Sequence, residues 1–251
     1  MDKEKEKKKL SIIPIIIIII FCLIFIFSLY KVIVYIIEGN KSDSVYNETI
    51  EDISIVKEEN KETGEKIEKY SINYDGLKGK NEDTVGFLKV NGTEINHIIV
   101  QAKDNDYYLR HNFFKESSSE GWPFADYRNK FDGTDRNIII YGHNRRDGTM
   151  FGTLKNILKE DWYNNNSTIT FFDEKGQREC KIFAVYRVPK EDYYITTSFN
   201  DDEEYKEFIN TLKGRSLKNF GVDVTTENKI LTLSTCANDN RYRVVLHAVF
   251  E

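Results

Sequence analysis

The sequence has little cysteine, with three residues in 251: Cys22, Cys180 and Cys236. Cys22 falls in an apolar segment, so at most one disulfide is open to the rest, which excludes a disulfide-stapled scaffold. A lone cysteine in a special context is instead a candidate nucleophile. There is no excess of basic charge: 36 Lys and Arg stand against 41 Asp and Glu, a net charge of −5. That argues against a nucleic-acid partner. No internal repeat is present, and the only low-complexity stretch is the run Ile15 to Ile20.

Residues 2–9 are almost all charged, and residues 10–37 are almost all apolar. About 20 apolar residues span a bilayer as a helix. A core helix of a soluble protein would show a polar stripe, and the first half of this segment has none. No small-x-small cleavage site follows it, so it reads as an uncleaved anchor and not as a removable signal peptide. Five lysines precede it, which predicts a cytoplasmic N-terminus and an extracellular remainder in a single-pass cell-membrane protein.

The expected organisation is a cytoplasmic tail (1–9), a transmembrane signal-anchor (10–37), an extracellular stalk with N-terminal helical character (38–80) and one domain (81–251). Within the stalk, Val45, Ile50, Ile53 and Val56 predict one packed helix inside 44–60. From Val85 the pattern becomes strand-like. Apolar runs 85–90 and 95–100 flank Asn91-Gly92, a strong hairpin signal. Further strands are predicted at 137–142, 167–172, 179–188, 229–234 and 243–250. Helices are predicted over 149–163 and 201–212 from their one-sided apolar spacing. The fold class is therefore mainly β, a closed barrel with helices inserted in its connections.

The chemistry centres on Ile230 to Ala237, ILTLSTCA, where an apolar strand runs out into hydroxyl residues and Cys236. A buried, inert thiol and a nucleophile are equally compatible with this segment alone. A thiol near its ordinary pKa needs a histidine to take its proton. His97 and His247 lie in predicted strands and read as structural, while His111 sits in the aromatic segment 107–114. His143 follows Ile138 to Gly142, at the end of a strand, where it can face a cysteine at another strand end. Arg241 and Arg243 begin the last strand. If the chain turns after Cys236, Arg243 returns to the space before the thiol, where a guanidinium stabilises an oxyanion. Arg241 reads as a surface residue.

Together these segments resemble the sortase family: TLSTC (Thr232 to Cys236), IYGHN (Ile140 to Asn144) and Arg243 followed by Val244-Val245-Leu246-His247-Ala248. The stretches YGHNRRDGTMFGTL (141–154), VQAKDNDYYLRHNFF (100–114) and FADYRN (124–129) are similar to class B members, as is the long helical connection 193–228.

The resemblance implies an eight-stranded sortase-type barrel and a cysteine transpeptidase with Cys236, His143 and Arg243 as catalytic residues. Its partners would be secreted proteins bearing a C-terminal sorting motif of the LPXTG or NPQTN type, and a peptidoglycan amine. It also implies that Asn105, Leu109, Tyr194, Ile195 and Ser234 bind the peptide. It calls for no cofactor and no metal. Ala237 departs from the acidic residue that some class B members carry after the cysteine. The competing readings are a pilin-polymerising sortase and a non-catalytic anchored binding module on the same barrel. The chain's end at Glu251, straight after the last strand, weighs against the first. Retention of all three catalytic candidates weighs against the second. The abundance of Ile, Asn and Lys fits a low-GC Gram-positive source.

Overall fold

The computed structural model describes residues 12–59, 66–145, 147–191, 193–236 and 241–251. The chain divides into two compact units, Met1–Asp43 and Ser44–Glu251. Most of α1 (Ile12–Ile50) belongs to the first. Ile12 to Ile37 expose their large apolar side chains all round the helix, and its apolar part is long enough to cross a bilayer.

In the second unit, α1 ends at Ile50 and the chain turns into β1 (Ile53–Glu59), paired antiparallel with β2 (Lys66–Ile72). The helix expected within 44–60 therefore covers only residues 44–50 of that span. Past Ile50 the β-branched Ile53 and Ile55 alternate with polar residues, and this two-residue period prevails over the looser helical spacing. A short helix, α2 (Tyr74–Lys80), which the apolar spacing did not disclose, leads into the barrel. It is capped by the Asn73 side chain, which accepts from the Gly76 amide.

The barrel strands are β3 (Thr84–Val90), β4 (Asn96–Val100), β5 (Phe124–Ala125), β6 (Asn137–His143), β7 (Thr168–Asp173), β8 (Gly176–Pro189), β9 (Ile230–Cys236) and β10 (Tyr242–Phe250). They close in the order β10-β8-β7-β3-β4-β5-β6-β9. The expected eight-stranded closed barrel is thus present. Its one unforeseen member is β5, whose two residues are too few to carry a period.

Between β6 and β7 the expected continuous helix over 149–163 is broken. Met150 takes φ of 51°, the Phe151 amide donates to the His143 carbonyl, and a 3-10 turn at Leu154–Leu158 precedes α3 (Glu160–Asn165). The segment 149–153 is committed to the end of β6 and is not free to coil. Between β8 and β9 runs α4 (Asp202–Arg215), whose N-cap Asp201 accepts from the Glu204 amide. Its Tyr205, Phe208, Ile209 and Leu212, spaced as one helical face, are buried.

Both faces of the sheet are covered. The barrel interior holds Leu88, Ile99, Ile140, Leu233 and Leu246. Outside, one layer of Val45, Tyr70, Leu77, Trp122 and Phe124 covers Phe87, Ile98 and Ile139. A second, from α4, covers Phe183, Val245 and Val249. Each fully buried Leu, Ile or Phe contributes about 1.5–3 kcal/mol. Burial on both faces explains why NIIIYGH reads as an unbroken apolar run instead of an alternation.

Candidate active site

β6 and β9 are parallel neighbours in register, from Asn137 opposite Ile230 to His143 opposite Cys236. The candidate histidine and the candidate nucleophile therefore close adjacent strands at the same level. β10 flanks β9 on its other side, with Val245 opposite Ser234 and His247 opposite Thr232. That pairing ends at Val245, and Arg243 lies two residues beyond it on β10, on the same strand face. The turn residues 237–240, including Ala237, lie outside the described residues.

His143 is held from several sides. Its Nε2 donates to the Leu109 carbonyl at 2.8 Å, and its own carbonyl accepts from the amides of Arg145 and Phe151. Gly142, just before it, lies under the Phe151 ring. A Cβ there would stand 2.4 Å from two of the ring carbons. On the other side, Gly121 (φ of 62°) backs the imidazole, where a Cβ would lie 2.9 Å from Cδ2 of His143 and 2.4 Å from the Tyr108 carbonyl. Only glycine permits this approach. The next residue back, Glu120, is buried and pairs with Arg145 at 2.8 Å, which ties the loop after His143 to the segment behind the ring. Burial lowers the His143 pKa below the ordinary histidine value. The Leu109 carbonyl opposes this and the nearby Arg145 charge adds to it. The neutral ring carries its proton on Nε2 and leaves Nδ1 as an acceptor.

A pocket of ≈ 230 Å³ opens beside the ends of β9 and β10. Five residues singled out from the sequence line it: Asn105, Tyr194, Ile195, Ser234 and Arg243. Tyr194 and Ser234 join hydroxyls at 2.9 Å. Leu109 stands apart from these. It is not among the lining residues: its side chain packs against the outer layer that holds Trp122 and Phe124, and its carbonyl accepts from His143. Arg243 is half-buried, whereas Arg241 is exposed. Sequence reasoning missed Phe124, Tyr141, Lys190, Glu191 and Thr235, which also line the pocket. Thr235 accepts the Val244 amide on Oγ1 at 3.0 Å, bracing β10 against β9 where the pairing of the strands ends.

His97 and His247 are structural, as their strand positions suggested. His247 is fully buried. The Thr232 hydroxyl donates to Asn137 Oδ1 at 2.6 Å, so His247 Nδ1 must donate to Thr232, and Nε2 accepts from Tyr186. Asn137 continues the chain to the Thr196 carbonyl in the pocket-bearing connection. Burial holds His247 at about 3. It holds His97, wedged edge-on between Tyr46 and Trp122, at about 4. His111 stacks on Tyr107 at 4.0 Å. Cys180 is a free, buried strand residue whose thiol pKa burial raises, so it is no competitor as nucleophile. Among the described residues no cluster of His, Cys, Asp or Glu suits a metal.

The two buried histidines make a stability prediction. The unfolded chain takes up their protons near 6.5, whereas the fold refuses them until about 4 and about 3. Stability is therefore complete above 6.5. It falls by about 3 kcal/mol per pH unit below that, both histidines together. Chemical denaturation at pH 7 and pH 5.5 should show this loss, and His97→Phe should lower the slope by about 1.4 kcal/mol per pH unit. Equal stability at the two pH values would contradict it.

Residues 88–251 match the sortase domain family. Sortase B of Listeria monocytogenes is 39% identical over 166 residues, covering 66% of this chain and 68% of that protein. The solved sortase B of Bacillus anthracis in complex with AAEK1 superposes with a TM-score of 0.75 at 32% identity, covering 86% of this chain and 98% of that one. A Staphylococcus aureus sortase B-substrate complex superposes with a TM-score of 0.68 at 34% identity, covering 71% and 84%. With the barrel and the paired ends of β6 and β9 in place, the conclusion is that this chain belongs to the sortase family of transpeptidases, in its class B.

Proposed function

We propose that the chain cleaves a C-terminal sorting motif of secreted proteins after its threonine, through a thioester on Cys236, and joins the cargo to a peptidoglycan amine. The observation that carries this reading is the register of His143 opposite Cys236, with Arg243 on the adjoining strand lining the pocket.

In this mechanism neutral His143 takes the thiol proton at Nδ1 as Cys236 attacks the threonine carbonyl carbon. Arg243 stabilises the resulting oxyanion. The tetrahedral intermediate collapses and the peptide C–N bond breaks. The leaving amine takes the proton from His143, and the thioester remains. An incoming amine then attacks the thioester, yields its proton to His143, and expels the thiolate as the new amide forms. The thiolate takes that proton back from His143, which restores the starting thiol and neutral imidazole. The pocket walls Asn105, Tyr194, Ile195 and Ser234 would bind the motif, with Leu109 acting through its carbonyl on His143.

For localisation we propose a single membrane span from residues 10–37, with residues 1–9 cytoplasmic, residues 38–80 an extracellular stalk and residues 81–251 the catalytic domain. The exposed apolar helix and the lysines before it support this. This orientation sets the domain beside both secreted cargo and nascent wall. Incubating the full chain in detergent with a panel of LPXTG- and NPQTN-type fluorogenic peptides, with and without an added amine, tests the reading. Cleavage at threonine with an amine-linked product is expected. Cleavage that yields only free acid at every amine concentration would make the protein a hydrolase instead.

A further inference from the structure

The motif FADYRN carries Asp126, which the catalytic reading leaves without a task. Its side chain is 0% exposed, yet it collects five donors. Oδ1 accepts from the Arg128 amide at 2.9 Å and from Arg128 Nε at 2.8 Å. Oδ2 accepts from Arg128 Nη2 at 2.7 Å, Asn105 Nδ2 at 3.0 Å and the Tyr141 hydroxyl at 2.9 Å. Arg128 Nη2 also donates to the Ile195 carbonyl at 3.0 Å, and Asn105 Oδ1 accepts from the Tyr127 amide at 3.0 Å. Asn105, Tyr141 and Ile195 line the same pocket but come from three separate parts of the chain: the connection after β4, the strand β6, and the connection after β8.

We propose that Asp126 is the positioning residue of the peptide pocket: one buried carboxylate that locks three of its walls to one another and thereby sets how the peptide is bound. The proposal rests on the sortase reading of the pocket and adds a residue outside its lining. The chemistry suits the task. A carboxylate has about four acceptor sites, enough for donors from several elements at once. Arg128 supplies both the fork that neutralises the buried charge and the reach to the opposite wall. Burial pushes the Asp126 carboxyl up, but the bonds from Arg128 and Tyr141 outweigh it, so the group stays ionised at neutral pH. The amide of asparagine cannot substitute for it, because its NH2 would meet donors already directed at that position.

The test compares wild type with Asp126→Asn in the full chain, by peptide kinetics and by hydrogen exchange of segments 104–109 and 193–197. Loss of the lock should raise KM roughly ten- to a hundredfold with a much smaller change in kcat. Both segments should exchange faster while the rest of the barrel keeps its protection. Arg128→Lys, on a partly exposed side chain, retains the charge but loses the fork. It gives the same pattern in weaker form should Asp126→Asn fold poorly. Unchanged exchange in both segments, or an effect on kcat alone, overturns the proposal. If wild type cleaves no peptide, the sortase reading fails, and the exchange result still decides whether Asp126 orders the pocket walls.

Discussion

Cys236→Ala is expected to abolish peptide cleavage, a loss on the order of 10⁴-fold or more, because in the proposed mechanism no step proceeds without its thiolate. The protein should otherwise be unaltered. Cys236 is the terminal residue of β9, and the barrel core is built from Leu231 and Leu233 below it. Thermal midpoint and circular dichroism should match wild type, while product formation by chromatography falls to background. Retained cleavage would transfer the reaction to another nucleophile. Among the described residues Cys180 is too deeply buried and Cys22 lies in the apolar helix, so it would overturn the chemistry altogether.

Arg243→Ala is expected to cost 10²- to 10³-fold in kcat, the scale of removing one preorganised oxyanion donor, with KM little changed. Arg243→Lys should recover only part of this, since an ammonium lacks the planar fork. Arg241→Ala, at an exposed position, should have no comparable effect. A rise in KM with kcat intact would instead make Arg243 an anchor for the peptide. Full activity in Arg243→Ala would move the oxyanion role to Arg241.

The barrel was legible because its strands are buried on both faces and rich in β-branched residues, as in IIIY of β6 and ILTL of β9. Strand ends were legible as well, since Gly142 before His143 and the hydroxyl run before Cys236 mark where apolar burial stops. The residues that line the pocket but carry no reactive group were harder to see. Tyr141 and Phe124 look like core residues in sequence, and they are buried. Phe124 stands on a two-residue strand too short to show a period, and Tyr141 sits inside the unbroken apolar run of β6, so neither betrays in sequence that it lines the pocket. Asp126 was visible only as part of a motif. Its meaning is non-local, in donors 2, 15 and 21 residues away. The helix expected over 149–163 failed for the same reason: Phe151 is bound to the His143 carbonyl and Met150 bridges Asn144, a tertiary demand that local spacing does not encode.

The most direct measurement of the central claim is the intact mass of the full chain mixed with a cleavable sorting-motif peptide and no amine. The account predicts a mass increase equal to the peptide up to its threonine, carried on Cys236. It should be discharged within one turnover when an amine is added, with that amine found on the product. Cleavage of the peptide with no mass ever gained by the protein, or a gain that persists in Cys236→Ala, would contradict it.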